Sequence, residues 1–241
     1  MPTFDKMGLS PSILRAIQEQ EFINPTPIQE KIIPLVLETK DDIVGLAQTG
    51  TGKTAAFGLP LIEQIDVKNK SVQALILAPT RELCMQITND LQDYAKYMNG
   101  LRVVSVYGGA SIETQIKALK KGAHIIAATP GRMLDLIKRK AANIMGIHTV
   151  VLDEADEMLN MGFRDELDGI LEQTTINKRT LLFSATMPNE VTRIAKNYME
   201  NPVQVTIGKQ NSGAENVRHI FYQVHAHDRY LALKRIADFH P

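Results

Sequence analysis

The chain has 241 residues, 44% of them hydrophobic and 22% charged, with 27 lysines and arginines balanced by 27 aspartates and glutamates. That length holds one good core and part of a second domain, and the balanced charge excludes a global basic field, so nucleic-acid binding would have to come from a local surface. A single cysteine, Cys84, excludes a disulfide framework and a cysteine-built zinc site, and no apolar stretch approaches the ~20 residues of a membrane span.

Tryptophan is absent and aromatics are 5%, which disfavours a stacking platform for single-stranded bases. The start, Met1-Pro2-Thr3-Phe4-Asp5, has no signal-peptide pattern, so a soluble cytoplasmic protein is expected.

Two helices are predicted first. Ser10-Pro11 caps one, with Ile13, Leu14 and Ile17 as its apolar stripe. Pro27 opens the other, through Ile28, Ile32, Ile33 and Leu35, and Pro34 is expected to kink it. Short, β-branched runs then alternate with amphipathic ones. The predicted strands are Ile43–Ala47, Gln73–Ala78, Arg102–Tyr107, His124–Ala128, His148–Asp153, Thr180–Ser184 and Val203–Ile207. The predicted helices between them are Lys53–Ile65, Arg81–Met98, Ser111–Lys121, Gly131–Lys140, Arg164–Gln173 and Asn189–Met199. This alternation predicts an α/β three-layer sandwich with a mainly parallel sheet of about seven strands. The polar stretch 208–216 reads as a linker. After it come a strand-like run, Val217–Val224, and a helix-like run, Asp228–Phe239. One strand and one helix make no core, so these read as the start of a second domain. Residues 1–207 form the first.

Two stretches carry chemistry. Ala47-Gln48-Thr49-Gly50-Thr51-Gly52-Lys53-Thr54 lies between a buried strand and a helix. Gly50 and Gly52 let the backbone turn its N–H groups toward phosphate oxygens, the helix dipole adds to them, Lys53 reaches the terminal phosphates and the Thr54 hydroxyl binds Mg²⁺. About a hundred residues on, Thr149-Val150-Val151-Leu152-Asp153-Glu154-Ala155-Asp156 reads as a buried strand ending in carboxylates. Asp153 suits holding Mg²⁺ through its water shell, and Glu154 suits orienting or deprotonating the attacking water. An acidic helix start explains one or two such carboxylates, but not their position after a buried strand in a chain with a phosphate loop. The later acids Asp165, Glu166, Asp168 and Glu172 read as a solvated helix face.

With these motifs on the page the chain resembles the first half of a DEAD-box ATP-dependent RNA helicase. Phe22-Ile23-Asn24-Pro25-Thr26-Pro27-Ile28-Gln29 resembles the family's adenine-reading Q motif, with Phe4 as its isolated upstream aromatic. Pro79-Thr80-Arg81-Glu82-Leu83 resembles motif Ia; Gly108-Gly109 and Thr129-Pro130-Gly131-Arg132 resemble its RNA-backbone contacts. Ser184-Ala185-Thr186 resembles the motif that, with Asp156, couples hydrolysis to strand separation. The resemblance implies a RecA-like P-loop NTPase domain that takes ATP and Mg²⁺, binds RNA largely without regard to sequence, and works with a second RecA-like domain.

These stretches also have bland readings. Gln29 carries one amide donor and one acceptor, which match adenine N6 and N7 and mismatch guanine O6; otherwise it is a helix-surface glutamine, and Phe22 a core residue rather than a base stack. Arg81 and Arg132 suit phosphate oxygens but also surface ion pairs. Ser184 and Thr186 also suit a capping turn before Pro188. Two departures from the family are small: Glu21 precedes Phe22 where glycine is common, and Cys84 stands where alanine is common. Two rival functions are a nucleotide-dependent RNA-binding module without turnover and a DNA helicase of a neighbouring family, the latter disfavoured by the Q motif and Asp156.

Overall fold

The computed structural model describes residues 3–175, 177–208 and 220–239. Seven strands form one sheet: β1 (Ile43–Leu46), β2 (Ala74–Leu77), β3 (Val103–Val106), β4 (Ile125–Ala128), β5 (Thr149–Leu152), β6 (Arg179–Ser184) and β7 (Val203–Thr206). Their order is β3-β4-β2-β5-β6-β1-β7, and every pairing is parallel.

Helices cover both faces, so the central strands β1, β2, β4, β5 and β6 are buried along their whole length. Side-chain alternation divides the core. One set, including Ile43, Ile76, Ile125, Val151 and Phe183, packs under α1 (Pro11–Glu19), α2 (Pro27–Glu38), α3 (Lys53–Glu63) and α4 (Arg81–Tyr94). The other, including Val44, Leu75, Ile126, Val150 and Leu182, packs under α5 (Ile112–Lys120), α6 (Pro130–Lys138), α7 (Ala155–Asn160), α8 (Arg164–Leu171) and α9 (Asn189–Tyr198). The result is the three-layer α/β architecture that the strand–helix alternation predicts.

Several local expectations change. The six-residue α7 was not foreseen; it starts inside the acidic run. α2 runs past Pro34, as the stripe to Leu35 implies, and extends to Glu38, with Ile28, Ile32, Ile33 and Val36 buried along it. The Ser10 side chain does not cap α1; its backbone N–H instead donates to Glu63 Oε2 at 2.8 Å, tying α1 to the end of α3. Asp168 stays partly exposed beside Arg164 on its helix face, and its Oδ1 also accepts from the Tyr198 hydroxyl at 2.6 Å.

Contact density divides the chain at 211/212. Residues 209–216 of the expected linker and 217–219 of the expected strand lie outside the described residues. Residues 220–224 form no strand, correcting that expectation; a strand needs a paired neighbour, and the seven-stranded sheet is built without this one. The helix α10 (Arg229–Phe239) forms, but no residue of it is buried. Tyr222, Tyr230, Leu231, Leu233 and Phe239 are exposed, leaving this second unit without a core of its own among the described residues.

Candidate active site

In a parallel sheet all strands end at the same edge, and the loops that follow them meet there. The strand order brings the turns after β5, β6 and β1 together on one side and those after β2, β4 and β3 on the other. Every motif singled out along the sequence, the Q-like stretch apart, follows one of these six strands.

The loop after β1 runs from Ala47, whose N–H donates to Ser184 O at 3.1 Å, to Gly52, the N-cap of α3. Gly50 and Gly52 both have left-handed backbone, φ 76° and 87°. At Gly52 a Cβ would lie 2.4 Å from Gln29 Nε2, so glycine is required there for space as well as conformation. The Lys53 ammonium is buried and donates to Ala47 O at 2.9 Å, so it crosses the loop it helps to form. The Thr51 hydroxyl donates to Gln48 O at 2.8 Å. Thr49 and Gly50 are exposed, and Thr54 is half-buried.

β5 ends at Leu152, and the chain turns sharply into α7. Glu154 bears the turn with left-handed backbone, φ 51° and ψ 51°. For a non-glycine residue this strain is on the order of 1–3 kcal/mol and is characteristic of functional turns. Asp153 is buried, and its Oδ1 accepts the Glu154 N–H at 3.0 Å. Burial pushes the Asp153 carboxyl up to about 6, against the opposing charge of Lys53. Asp156 faces the turn after β6. Its Oδ2 accepts from the Thr186 N–H at 2.9 Å and from the Thr186 hydroxyl at 2.7 Å, while its own N–H donates to Ser184 Oγ at 3.3 Å. Burial alone would raise its carboxyl, but the Thr186 and Ser184 hydrogen bonds outweigh it and hold it below the ordinary value.

The segment before α2 closes over the loop. Gln29 Oε1 accepts from the Thr26 N–H at 2.9 Å, the half of a capping box that closes to hydrogen-bond geometry. Gln29 Nε2 donates to Gly52 O at 3.1 Å. Among the described residues Thr26 Oγ1 is buried with no hydrogen-bond partner, beside the space that a Gly52 side chain would fill. Part of the Gln29 amide thus holds the phosphate loop, leaving one N–H and one oxygen lone pair for a base. Pro27 is exposed at the first turn of α2. Phe22 is half-buried between Phe4, with ring centroids 6.1 Å apart, and Tyr94, edge-on at 6.0 Å. Phe4 itself is buried and backs Phe22.

These groups line one cleft of 380 Å³: Phe22, Gln29, Thr49, Gly50, Gly52, Lys53, Thr54, Asp153 and Glu154. Its remaining wall, not foreseen from sequence, is Ala55 with Leu83, Gln86, Asp90 and Tyr94 of α4. The residues fit a nucleoside triphosphate with Mg²⁺. The glycine loop opens at a helix N-terminus beside a buried lysine, and the Thr54 hydroxyl and Asp153 carboxylate are hard oxygen donors suited to Mg²⁺. No group of three or more His, Cys, Asp or Glu among the described residues could hold a metal alone. That suits an ion completed by phosphate oxygens and water.

On the other half of the edge, Arg81, Gly108 and Gly109 are exposed, and Thr80, Gly131 and Arg132 are half-buried. Pro79, Thr129 and Pro130 are buried and shape the turns. The Thr80 hydroxyl caps α4 by accepting the Leu83 N–H at 3.2 Å. The Arg81 guanidinium lies over the Tyr107 ring at 5.0 Å. Arg132 Nη1 donates to Ala110 O and to Gln115 Oε1, both at 3.1 Å. It therefore braces the Gly108-Gly109 loop, a role its sequence context did not reveal.

Comparison with known proteins places the chain in a family. The DEAD/DEAH box helicase family model matches residues 26–194. The chain is 47% identical over 238 residues to the DEAD-box ATP-dependent RNA helicase CshA of Geobacillus kaustophilus (strain HTA426), covering 99% of this chain and 50% of that protein. It is 48% identical over 235 residues to the CshA helicase of Streptococcus pneumoniae serotype 4, covering 98% and 44%. It thus spans about half the length of these curated relatives. Among solved structures, a DEAD box protein from the hyperthermophile Methanococcus jannaschii superposes with a TM-score of 0.82 at 43% identity, covering 97% of this chain and 62% of that one. With its six strand-end turns arranged along one sheet edge, the chain belongs to the DEAD/DEAH box helicase family.

Proposed function

We propose that this chain is the ATP-binding half of an RNA helicase, an RNA-dependent ATPase that couples ATP binding and hydrolysis to local separation of RNA duplex. The observation that carries this reading is the sheet edge itself. The cleft takes in the turns after β1 and β5, and the exposed Arg81, Gly108 and Gly109 follow β2 and β3 along the same edge of the sheet. The relatives' names, ATP-dependent RNA helicase, point the same way.

In this reading Gly50, Gly52 and Lys53 hold the phosphates, and Phe22 and Gln29 take the adenine. Thr54 and Asp153 hold Mg²⁺, which when bound neutralises charge on the phosphate oxygens. Glu154 orients or deprotonates the attacking water. Asp156 joins this turn to Ser184 and Thr186, so a shift at the carboxylates is carried to the neighbouring strand end. Arg81 and the loop amides of Gly108 and Gly109 contact RNA backbone, largely independent of base sequence. We infer that 217–241 begin the second RecA-like domain, that 208–216 link the two, and that the protein works in the cytoplasm on RNA. Support comes from the relatives' double length and the separate unit after 211. This polypeptide alone is then a nucleotide-dependent RNA-binding module with little turnover.

The test is Glu154→Gln in the two-domain form. Mg²⁺·ATP binding should persist while RNA-stimulated hydrolysis falls by about a hundredfold or more. Hydrolysis at the unmodified rate would remove Glu154 from this role.

A further inference from the structure

The wall of the cleft supplied by α4 belongs to none of the phosphate, metal or RNA groups assigned above. Gln86, Asp90 and Tyr94 stand four residues apart, on the helix face that lines the cleft. Tyr94 meets Phe22 edge-on, which marks the base end. The phosphate end is set by Gly50, Gly52, Lys53 and Thr54 at the start of α3. Asp90 is partly buried and lines the same cleft, one helical turn from Tyr94.

The Asp90 carboxylate makes no hydrogen bond or ion pair with any described residue. On the same helix it faces Asp93, of the same sign, and it also acts on the Tyr94 phenol. Burial, then Asp93, pushes the Asp90 carboxyl above its ordinary value. A partly buried carboxylate without a donor is held at a loss, which a ligand carrying donors relieves. Triphosphate oxygens cannot supply donors, and their charge is repelled. The group between triphosphate and base is the ribose, whose neighbouring 2′- and 3′-hydroxyls offer two donors to the two oxygens of one carboxylate. An acidic side chain accepting from a ribose hydroxyl is the same chemistry that other nucleotide folds use.

We propose that Asp90 is a specificity residue that accepts hydrogen bonds from the ribose hydroxyls of the bound nucleotide and selects ribonucleotides over deoxyribonucleotides. The inference rests on reading the cleft as the ATP site.

The experiment titrates the 241-residue chain with Mg²⁺·ADP, Mg²⁺·2′-deoxy-ADP and Mg²⁺·3′-deoxy-ADP, for the unmodified protein, Asp90→Ala and Asp90→Asn. The unmodified chain should bind ADP about tenfold more tightly than at least one deoxy analogue. Asp90→Ala should lose that preference by weakening ADP about tenfold while weakening the disfavoured analogue, which keeps one hydroxyl, clearly less, the signature of a direct contact in a double-mutant cycle. Asp90→Asn keeps the side-chain shape and one acceptor oxygen, so it should retain part of the preference and guards against misfolding of the alanine variant. Equal binding of all three nucleotides by the unmodified chain would overturn the proposal. So would parallel weakening of all three by Asp90→Ala, the mark of a merely structural role. If the unmodified chain binds none of them, the ATP-site reading itself fails and the proposal falls with it. That outcome is distinct from binding without ribose preference, which leaves the site standing.

Discussion

At the scale of single residues, the turn chemistry rests on a few hydrogen bonds whose charge matters. Asp156 is the clearest case. Its carboxylate takes two bonds from Thr186, and the net effect is a carboxyl held below its usual value. A depressed carboxyl contributes stability that is present above the unfolded value of about 3.9 and is lost as the pH falls through the folded one. Asp156→Asn keeps the shape and an acceptor but removes the charge. It should lower stability by about 1 kcal/mol at pH 7, discounted because the group is partly exposed. The deficit should begin to shrink as the pH falls below about 3.9 and vanish once it lies below the depressed folded value. Denaturant titrations of both proteins between pH 2.5 and 7 check this, and a deficit independent of pH would mean that the charge contributes nothing.

At the scale of elements, the sheet and its helices follow from local pattern, and the joints between them do not. Short β-branched runs and glycine-bounded turns were enough to place all seven strands within a residue or two. α7 was missed because six residues carry under two turns of periodicity and start within a motif that reads as chemistry. Arg179 was missed for another reason, since its partners are about 140 residues away. It donates from Nη1 to Val36 O at 2.7 Å, from Nη2 to Leu35 O at 3.1 Å and from Nε to Asp41 O at 2.7 Å. It thus caps the C-terminal end of α2 from the start of β6, satisfying carbonyls at the negative end of the helix dipole. Arg179→Ala removes these charged donors, although Leu35 O keeps the Thr39 N–H and hydroxyl and Val36 O keeps Gln64 Nε2, and it should destabilise the protein by about 1–3 kcal/mol. Arg179→Lys, which lacks the planar fork, should recover less than half of this. Thermal melts of both variants check the order. An alanine variant as stable as the unmodified chain would make the cap incidental.

At the scale of the whole molecule, the phosphate loop, the acidic turn and the Q-like segment were legible because each is a contiguous motif. What needed the structure was their arrangement: Gln29 pinning Gly52, Asp156 reaching Thr186, Arg132 bracing the loop after β3, and α4 closing the cleft. The same arrangement bounds what this chain can do alone. In the proposed reading, Lys53 and Mg²⁺ would supply positive charge on one side of the phosphates. In other phosphate-transfer enzymes, arginines from a second element are worth roughly 10³–10⁵ in rate. The 241-residue chain should therefore bind nucleotide, bind RNA weakly, unwind nothing and hydrolyse ATP near background. Saturating RNA should not raise steady-state turnover; robust stimulation would show that the site is complete without a second domain. In the proposed function the cleft reads adenine through Gln29 and Phe22 and triphosphate through the loop at 47–54. It is tested most directly by calorimetric titration of Mg²⁺·ATP and Mg²⁺·GTP into the unmodified chain, Gln29→Ala and Lys53→Ala. ATP should bind about tenfold or more tightly than GTP. Gln29→Ala should weaken ATP more than GTP, and Lys53→Ala should weaken both with the fold kept. Equal affinity for ATP and GTP, or unchanged affinity in the Lys53 variant, would contradict the account.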